Sequence, residues 1–303
     1  MYSIKGIKKG LANPRYIAQE ANRLFYRRLH TWSYNEHGMD FFEADWDNML
    51  ILDACRYDLF DRTSTLPGET TAVQSRGSST WEFLRGNFDG KRLLDTVYVT
   101  ASPMLYRHRD GIDVKFHEVV EVWKDSGWDE TYRTVLPETV AEAALKAAQR
   151  FPDKRLLVHF LQPHYPFLGP TGQEHFDLDR LDFQWDDLAS GELGIPRDVV
   201  KQAYEENLEE VLPSVERLLF ELGGKTVVTA DHGQMFGERT FPIPMQEYGH
   251  PAGIYSKELV KVPWHVFDEG PRREIVAEEP VTDSERDEME LADERLRALG
   301  YLD

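Results

Sequence analysis

The chain has 303 residues, of which 41% are hydrophobic, enough for one large α/β domain or two small ones. Its formal net charge of −19 argues against nucleic acid as a partner, because phosphate backbones would be repelled; the same acidity is typical of adaptation to a high-salt cell interior, which is the alternative interpretation. The single cysteine, Cys55, excludes an internal disulfide and a cysteine-based metal cluster, and it fits a reducing compartment.

The first 28 residues carry seven basic side chains against one acidic side chain, Glu20. No run approaches the roughly 20 apolar residues that a membrane span requires, and no apolar core follows the basic start, as a secretory signal would need. The sequence therefore predicts a cytoplasmic protein. Residues 1–28 are interpreted either as a helix lying on the inner face of an anionic membrane or, preferably, as a helix docked on the protein's own acidic surface.

Apolar periodicity predicts strands that alternate with helices. A first helix is expected over residues 12–28, and a buried strand over 46–53 ends in an acid. Ser79 and Glu82 have the spacing of a capping box, which predicts a helix start at Ser79. The remaining predicted elements are strands over 96–100, 155–161, 226–229 and 262–267 and helices over 137–150, 199–222 and 285–299.

This order of elements predicts an α/β fold of three αβα layers, in which helices cover both faces of a mainly parallel central sheet. Neither an internal repeat nor a clear linker divides the chain. We expect one catalytic domain over residues 46–270, preceded by a basic helical segment over 1–45 and followed by an acidic tail over 271–303 that contains a short helix.

Polar residues suited to metal binding follow three of the predicted strands. Asp53 ends the first, His164 follows the third, and Asp231-His232 follows the fourth. Because ligand sites in open α/β sheets lie beyond the carboxyl ends of the strands, these side chains are expected to converge. Asp with His suits Zn²⁺ or Mn²⁺, whereas a carboxylate-rich site suits Mg²⁺ or Ca²⁺. Each of these residues, taken on its own, also has an ordinary structural explanation. Asp53 could cap a helix, His232 could be a hydrogen-bonded histidine near the core, and His164 could be a loop residue.

The segment SRGSSTWEFL, residues 75–84, places three hydroxyls together at a predicted helix start. The free amide groups and the positive dipole end of a helix N-terminus stabilise an attacking alkoxide and the anion that it attacks. A metal ion lowers the pKa of such a hydroxyl further. Ser79 is assigned to capping the helix. Ser78 is the preferred nucleophile, and Thr80 is the next candidate.

With these segments the sequence resembles the alkaline phosphatase superfamily on its sulfatase-like branch, from about residue 47 to residue 268. The most specific likeness is TADHGQMFGE (229–238), which is similar to the motif S-D-H-G-x-x-x-G-E. Gly249-His250 stands where the family places a further histidine, and LRALGYL (296–302) looks like a sulfatase-like C-terminus. The segments ILDACRYD (51–58), FLQPHYPF (160–167) and AYEENL (203–208) resemble the first metal strand, the P-H-x-P segment and the Y-x-x-N helix.

The resemblance implies one or two divalent ions, Zn, Mn, Mg or Ca, as the cofactor. It also implies that Gly233 lets the backbone turn away beneath the metal. The implied ligands of the first ion are Asp53, Ser78, Asp231 and His232, and the residues implied around the transferred group or a second ion are His164 and His250.

The chain departs from true sulfatases in its nucleophile segment. It lacks the C/S-x-P-S-R pentapeptide that is converted to formylglycine, and Cys55 lies two residues after Asp53 instead. The run from Ser78 to Phe83 is closer to the Thr-x-x-x-Glu-Phe segment of lipoteichoic-acid synthase-like and phosphoethanolamine transferase-like enzymes. Gln234 replaces the usual acid after D-H-G.

Together these features predict a metal-dependent hydrolase or transferase that acts on a phosphate ester, preferably a diester, through a phosphoserine on Ser78. His164 and His250 are expected to position the phosphoryl group or to assist the leaving oxygen. The predicted substrate is a small-molecule, glycan-linked or lipid-linked phosphate or sulfate ester, and not nucleic acid. The alternatives are a sulfatase that works without formylglycine and a non-catalytic metal-binding scaffold in surface glycan assembly.

Overall fold

The computed structural model describes residues 14–124, 127–176, 184–280 and 289–301. The helices are α1 (Pro14–Tyr26), α2 (Tyr57–Thr63), α3 (Thr80–Phe88), α4 (Met104–Arg107), α5 (Pro137–Arg150), α6 (Pro170–His175), α7 (Trp185–Ser190), α8 (Arg197–Leu222), α9 (Lys257–Val260) and α10 (Met289–Ala298). The strands are β1 (Asn48–Leu52), β2 (Glu69–Gln74), β3 (Lys91–Thr100), β4 (Val114–Glu121), β5 (Arg155–Phe160), β6 (Gly224–Thr229), β7 (Met235–Arg239), β8 (Gln246–Gly249) and β9 (Lys261–Glu269).

Seven of these strands form one sheet in the order β2-β9-β6-β1-β5-β3-β4. The run from β6 to β4 is parallel throughout, and β9 is antiparallel to both of its neighbours. The predicted α/β fold with a mainly parallel sheet is therefore confirmed. The strands β2 and β4 and the separate antiparallel pair β7–β8 are absent from the predicted elements. The strand β2, ETTAVQ, is largely exposed and contains too few apolar residues to give a signal.

Helices cover both faces of this sheet. Side chains that are an odd number of positions apart in a strand point to opposite faces, as Trp264 and Phe267 of β9 do. The Phe41 ring lies 5.2 Å from Trp264 and 5.3 Å from Phe83 of α3. On the other face, the Phe220 ring of α8 lies 5.6 Å from Phe267. The predicted three-layer arrangement follows from these contacts.

The strand order brings the predicted site residues to one edge of the sheet. β1 lies between β6 and β5, and Ile51 is level with Thr229 of β6 and His159 of β5. All five residues of β1 are buried, so β1 is a central strand with both faces covered. Side chains that follow β6, β1 and β5 therefore emerge next to one another.

The first described helix lies against an acidic group of the protein itself, the arrangement preferred from the sequence. In α1 the Arg15 and Gln19 side chains donate to the Glu247 carboxylate at 2.8 and 3.0 Å. The predicted tail helix is present as α10, and its expected start at residue 285 lies outside the described residues. Among the described residues, no helix combines the length and apolar character that crossing a membrane demands. The division into three segments stays a prediction.

Candidate metal centre

Asp53 follows β1 in a turn with an unusual backbone. The next residue, Ala54, has a φ of 61°, a left-handed conformation that non-glycine residues rarely adopt. Its amide donates to Asp231 Oδ1 at 3.0 Å, and its carbonyl accepts a hydrogen bond from the Tyr204 hydroxyl. The strained turn is thus held from two sides, and it ties the Asp53 loop to the Asp231 loop.

The Asp231-His232 pair follows β6, and local hydrogen bonds fix both side chains. The His232 amide donates to Asp231 Oδ1 at 2.8 Å, and His232 Nδ1 lies 2.7 Å from the Gly233 carbonyl. A carbonyl only accepts, so Nδ1 carries the proton and Nε2 keeps its lone pair. This tautomer is the form in which a histidine binds a metal through Nε2.

Gly233 is required by a close approach of another segment. A Cβ atom at this position would lie 2.1 Å from the Glu258 carbonyl oxygen. The Gly233 amide also donates to the Leu259 carbonyl at 2.7 Å, and Gly233 is not among the glycines with a positive φ. The implied explanation, a backbone turn beneath the metal, is therefore replaced by the contact with residues 258–259.

Three ligand atoms converge at the sheet edge, and the two carboxylate oxygens among them have no hydrogen-bond partner. Asp53 Oδ1 and Asp231 Oδ2 are buried and form no hydrogen bond, and they lie 3.5 and 3.4 Å from His232 Nε2. The three residues are fully buried, and their ligand atoms all lie within 4.8 Å of one another. A tetrahedral ion with bonds of about 2.0–2.1 Å separates its ligands by roughly 3.3–3.4 Å. The spacing therefore fits one divalent ion.

The electrostatics of this cluster also favour a cation. Burial, followed by the charge of Asp231, raises the pKa of Asp53 well above its usual value, because two buried carboxylates face each other. The outer oxygens are occupied: the Tyr301 hydroxyl donates to Asp53 Oδ2, and two backbone amides donate to Asp231 Oδ1. Each carboxylate thus presents one free oxygen to the same point, as carboxylates that bind metals do. Asp with His suits Zn²⁺ or Mn²⁺.

Of the three neighbouring hydroxyls, the structure brings Thr80 to this centre. Thr80 Oγ1 lies 3.2 Å from His232 Nε2. By contrast, Ser78 Oγ donates to Glu82 Oε2 at 2.7 Å and accepts from the Gly253 amide at 2.9 Å. The geometry therefore does not support Ser78 as a ligand or nucleophile, and Thr80, the second candidate, occupies the expected place.

The difference arises from the segment that precedes the helix. α3 begins at Thr80 with Ser79 as its N-cap residue, as predicted, but the Ser79 side chain forms no capping hydrogen bond, so the predicted capping box of Ser79 with Glu82 is wrong. The buried Glu82 carboxylate instead accepts from Arg27 at 2.5 Å and from the Tyr255 hydroxyl at 3.1 Å. Glu82 therefore anchors the segment that precedes α3, and this anchoring keeps Ser78 out of the cluster.

His164 and His250 form a pair beside the centre. Their Nε2 atoms lie 2.9 Å apart, and His164 Nδ1 is 2.7 Å from the Tyr165 carbonyl, so His164 Nε2 accepts and His250 Nε2 donates. The His250 ring lies 4.6 Å from the His232 ring. Burial lowers the pKa of His164 to about 4 and that of His250 well below its usual value, which keeps both rings neutral at about pH 7. Binding of a second ion by this pair stays a prediction.

One residue of the site, Tyr301, was given no role by the sequence analysis. Its hydroxyl donates to Asp53 and lies 3.5 Å from Thr80 Oγ1. Its ring stacks on His164 with 4.7 Å between centroids and 5° between planes. The sequence feature that could have indicated Tyr301 was the likeness of LRALGYL to a C-terminus of the family. That likeness did not predict a contact between this segment and the metal centre.

Two motif residues have positioning roles that the sequence did not show. Asn207 Nδ2 donates to the carbonyls of Pro163, His164 and Pro166 at 3.2, 2.8 and 3.1 Å. Tyr204, one turn earlier on α8, holds Ala54. The Y-x-x-N segment thus positions the loops that carry Asp53 and His164.

The comparisons with known proteins found similarity in solved structures. No protein-family profile and no curated sequence matches the chain. Lipooligosaccharide phosphoethanolamine transferase A of Neisseria meningitidis is 14% identical over 72% of this chain and 47% of its own, with a TM-score of 0.45. The zinc complex of the C-terminal periplasmic domain of EcEptC from Escherichia coli is 13% identical over 76% of this chain and 75% of its own, with a TM-score of 0.46.

A third similar structure is an alkaline phosphatase superfamily protein of Vibrio parahaemolyticus, which is 12% identical over 86% of this chain and 71% of its own, with a TM-score of 0.40. It carries the name of the superfamily that the motifs resemble. The chain spans about half, 47%, of the length of the Neisseria transferase. The cytoplasmic location expected from the sequence is contradicted, because the similar structures include a periplasmic domain and an integral membrane protein, and it is withdrawn.

Proposed function

We propose that the chain is a metal-dependent phosphodiester hydrolase or transferase in which Thr80 is the nucleophile. The observation that carries this proposal is the convergence of Asp53 Oδ1, Asp231 Oδ2 and His232 Nε2 on one point, with the Thr80 hydroxyl 3.2 Å from His232 Nε2. A divalent ion held by these residues would lower the pKa of the Thr80 hydroxyl and offset negative charge on the phosphate oxygens.

The position of Thr80 suits nucleophilic attack. It is the first residue of the nine-residue helix α3, where free backbone amides and the helix dipole favour a bound anion. Thr80 Oγ1 forms a bond to phosphorus while the bond from phosphorus to the leaving alcohol oxygen breaks. The Thr80 proton passes through solvent to the departing alcohol. Water or an acceptor alcohol then cleaves the phosphothreonine and restores the hydroxyl.

The histidine pair is suited to hold the substrate. His250 Nε2 carries a proton and donates a hydrogen bond to His164 Nε2. A phosphate oxygen that reaches His250 Nε2 accepts that hydrogen bond instead, while His164 Nε2, which carries no proton, accepts from a substrate hydroxyl or from water, so the pair orients the transferred group without a change in its own charge. This orientation is the role that we assign to His164 and His250.

The charge of the site favours a diester over a monoester. In the described part of the chain, no Lys or Arg side chain pairs or hydrogen-bonds with Asp53, Asp231 or His232, and the histidine pair is neutral. A single divalent ion held there would cancel the charge of the two carboxylates. A phosphomonoester dianion would remain largely uncompensated, whereas a diester carries one charge.

A substrate panel tests the proposal. Zn²⁺-loaded protein is assayed with bis-aryl phosphate, aryl phosphate and aryl sulfate, and the quenched reaction is examined by peptide mass spectrometry. We expect turnover chiefly of the diester and a phosphoryl adduct that fragmentation of the peptide locates on Thr80, since Ser78 lies on the same peptide. Activity on the sulfate alone would favour the sulfatase alternative, and an adduct on Ser78 would refute the assignment of the nucleophile. Absence of turnover in all three assays would favour the scaffold alternative.

A further inference from the structure

We propose that Tyr301 positions Asp53 for metal binding, so that docking of the C-terminal helix and binding of the ion strengthen each other. The proposal rests on the metal centre described above. It concerns a residue at the far end of the chain, 248 positions from Asp53, and assigns to it a defined effect on the affinity for the ion.

The hydrogen bond from the Tyr301 hydroxyl gives the two oxygens of the Asp53 carboxylate different roles. Oδ2 accepts from the Tyr301 hydroxyl, whereas Oδ1 has no partner and lies 3.5 Å from His232 Nε2. A carboxylate that is held at one oxygen cannot rotate freely about its Cβ–Cγ bond. Tyr301 therefore keeps Oδ1 directed at the ion position, and stacking of its ring on His164 limits movement of the phenol in turn.

A helix cap delivers Tyr301 to this place. The Tyr301 amide donates to the Leu296 carbonyl at 2.9 Å, and the Gly300 amide donates to the Arg297 carbonyl at 3.0 Å. These two bonds, with a φ of 77° at Gly300, form a Schellman motif at the end of α10. The chain reverses direction there, and the residue after the glycine turns into the site.

The helix that carries the cap docks through apolar side chains and through two charged ones. Ala292 and Leu296 of α10 are buried, as is Leu299 just beyond its end. Asp293 pairs with Arg107 at 2.5 Å, and the Arg295 guanidinium lies 4.1 Å above the Trp128 ring. α10 lies outside the sheet, so loss of its docking would leave the pairing of the strands intact.

Metal binding and helix docking are consequently linked. If the docked helix fixes a metal ligand, it raises the affinity for the ion, and by thermodynamic reciprocity the ion raises the stability of the docked helix by the same factor. In the opposite arrangement Tyr301 would compete with the ion for Asp53, and docking of the helix would then lower the affinity for the ion. The free Oδ1 atom favours the first arrangement.

The first test measures Zn²⁺ affinity by competition with a chromophoric chelator. Tyr301→Phe keeps the ring that stacks on His164 and removes the hydroxyl, so we expect an affinity about 10–100-fold weaker than that of the wild type. Tyr57→Phe is the matched control, because the Tyr57 hydroxyl also bonds a carboxylate, that of Asp61 at 3.4 Å. The control should bind Zn²⁺ as the wild type does. Equal or tighter binding by Tyr301→Phe would overturn the inference.

The second test measures docking of the helix directly. Trypsin cleaves after Arg295 and Arg297, both in the last turn of α10, and we expect Zn²⁺ to slow this cleavage about tenfold or more in the wild type and much less in Tyr301→Phe. If the wild type binds Zn²⁺ but its cleavage does not depend on Zn²⁺, the inference about Tyr301 is overturned and the proposed metal centre is not. A wild type that binds no divalent ion would overturn the proposed metal centre as well.

Discussion

Thr80 Oγ1 lies 3.2 Å from His232 Nε2, although 152 residues separate the two in the chain. Thr80 is placed by the start of α3, and His232 by the end of β6. Their proximity joins the predicted nucleophile segment to the predicted metal strand. It also identifies which of three consecutive hydroxyls reaches the centre.

Replacement of Thr80 is expected to separate turnover from metal binding. Thr80→Ala removes the proposed nucleophile but leaves Asp53 Oδ1, Asp231 Oδ2 and His232 Nε2 in place. We therefore expect diester turnover to fall by about 10³-fold or more, with Zn²⁺ still bound. Ser79→Ala is the matched control, since Ser79 Oγ has no partner and its loss should change turnover little. The measurement is kcat for bis-aryl phosphate with metal content determined on the same samples. A Thr80→Ala enzyme with normal kcat would contradict the assignment.

Asp231→Asn is expected to abolish the effect of metal on stability. Asn can still accept the two backbone hydrogen bonds of Oδ1, but it replaces the free oxygen by an amide group that does not bind a cation. The change also removes one of two facing buried carboxylates, so in chelator the variant should be more stable than the wild type by about 1–3 kcal/mol. Thermal unfolding with and without Zn²⁺ measures both effects. A variant that Zn²⁺ still stabilises as much as the wild type would count against this role.

The metal-free protein is expected to lose stability as pH rises. In the folded chain the pKa of Asp53 is raised by burial and by Asp231. A carboxyl group whose folded pKa exceeds its unfolded pKa contributes stability below the unfolded value, about 4, and loses it as pH rises through the folded value. Urea unfolding in chelator across this range should therefore show a steeper decline for the wild type than for Asp53→Asn, which does not ionise. Parallel pH profiles would show that Asp53 is not the group responsible.

Asn207 is expected to support the His164 loop without contributing to metal affinity. Its amide group donates to three loop carbonyls, and its oxygen accepts from the Leu168 amide at 2.8 Å. Asn207→Ala leaves these buried groups unpaired, which should lower the free energy of unfolding by about 1–3 kcal/mol and raise KM for the diester. Chemical denaturation and steady-state kinetics test this, and Zn²⁺ affinity should stay within a few-fold of the wild type. A large loss of Zn²⁺ affinity would show that Asn207 supports the metal centre as well as the His164 loop.

The convergence of Asp53, Asp231 and His232 could be predicted because the signals for it are local. The apolar runs that end at Asp53 and Asp231 identify buried parallel strands, and the carboxyl ends of neighbouring strands must lie at one edge of the sheet. The sequence pattern of α5 likewise predicted both ends of this helix correctly. These features depend on a few consecutive residues and on rules that hold for every parallel sheet.

The proximity of Thr80 to this cluster and the contact of Tyr301 could not be predicted in the same way. Ser78 and Thr80 differ by two positions, and which one faces the cluster depends on the conformation of the segment before α3. Glu82 holds Ser78 there through the Ser78 amide and hydroxyl, and the other partners of Glu82, Arg27 and Tyr255, lie far away in the chain. Tyr301 reaches Asp53 only because α10 docks on the domain, and no local pattern specifies the docking of a short helix.

The central claim is that Asp53, Asp231 and His232 bind one divalent ion. Elemental analysis of protein purified without chelator, dialysed against metal-free buffer and then titrated with Zn²⁺, tests it most directly when wild type and Asp231→Asn are compared. The structure predicts about one tightly bound ion per wild-type chain and less than about a tenth of that in Asp231→Asn. Equal metal content in both proteins, or none in the wild type, would contradict the claim.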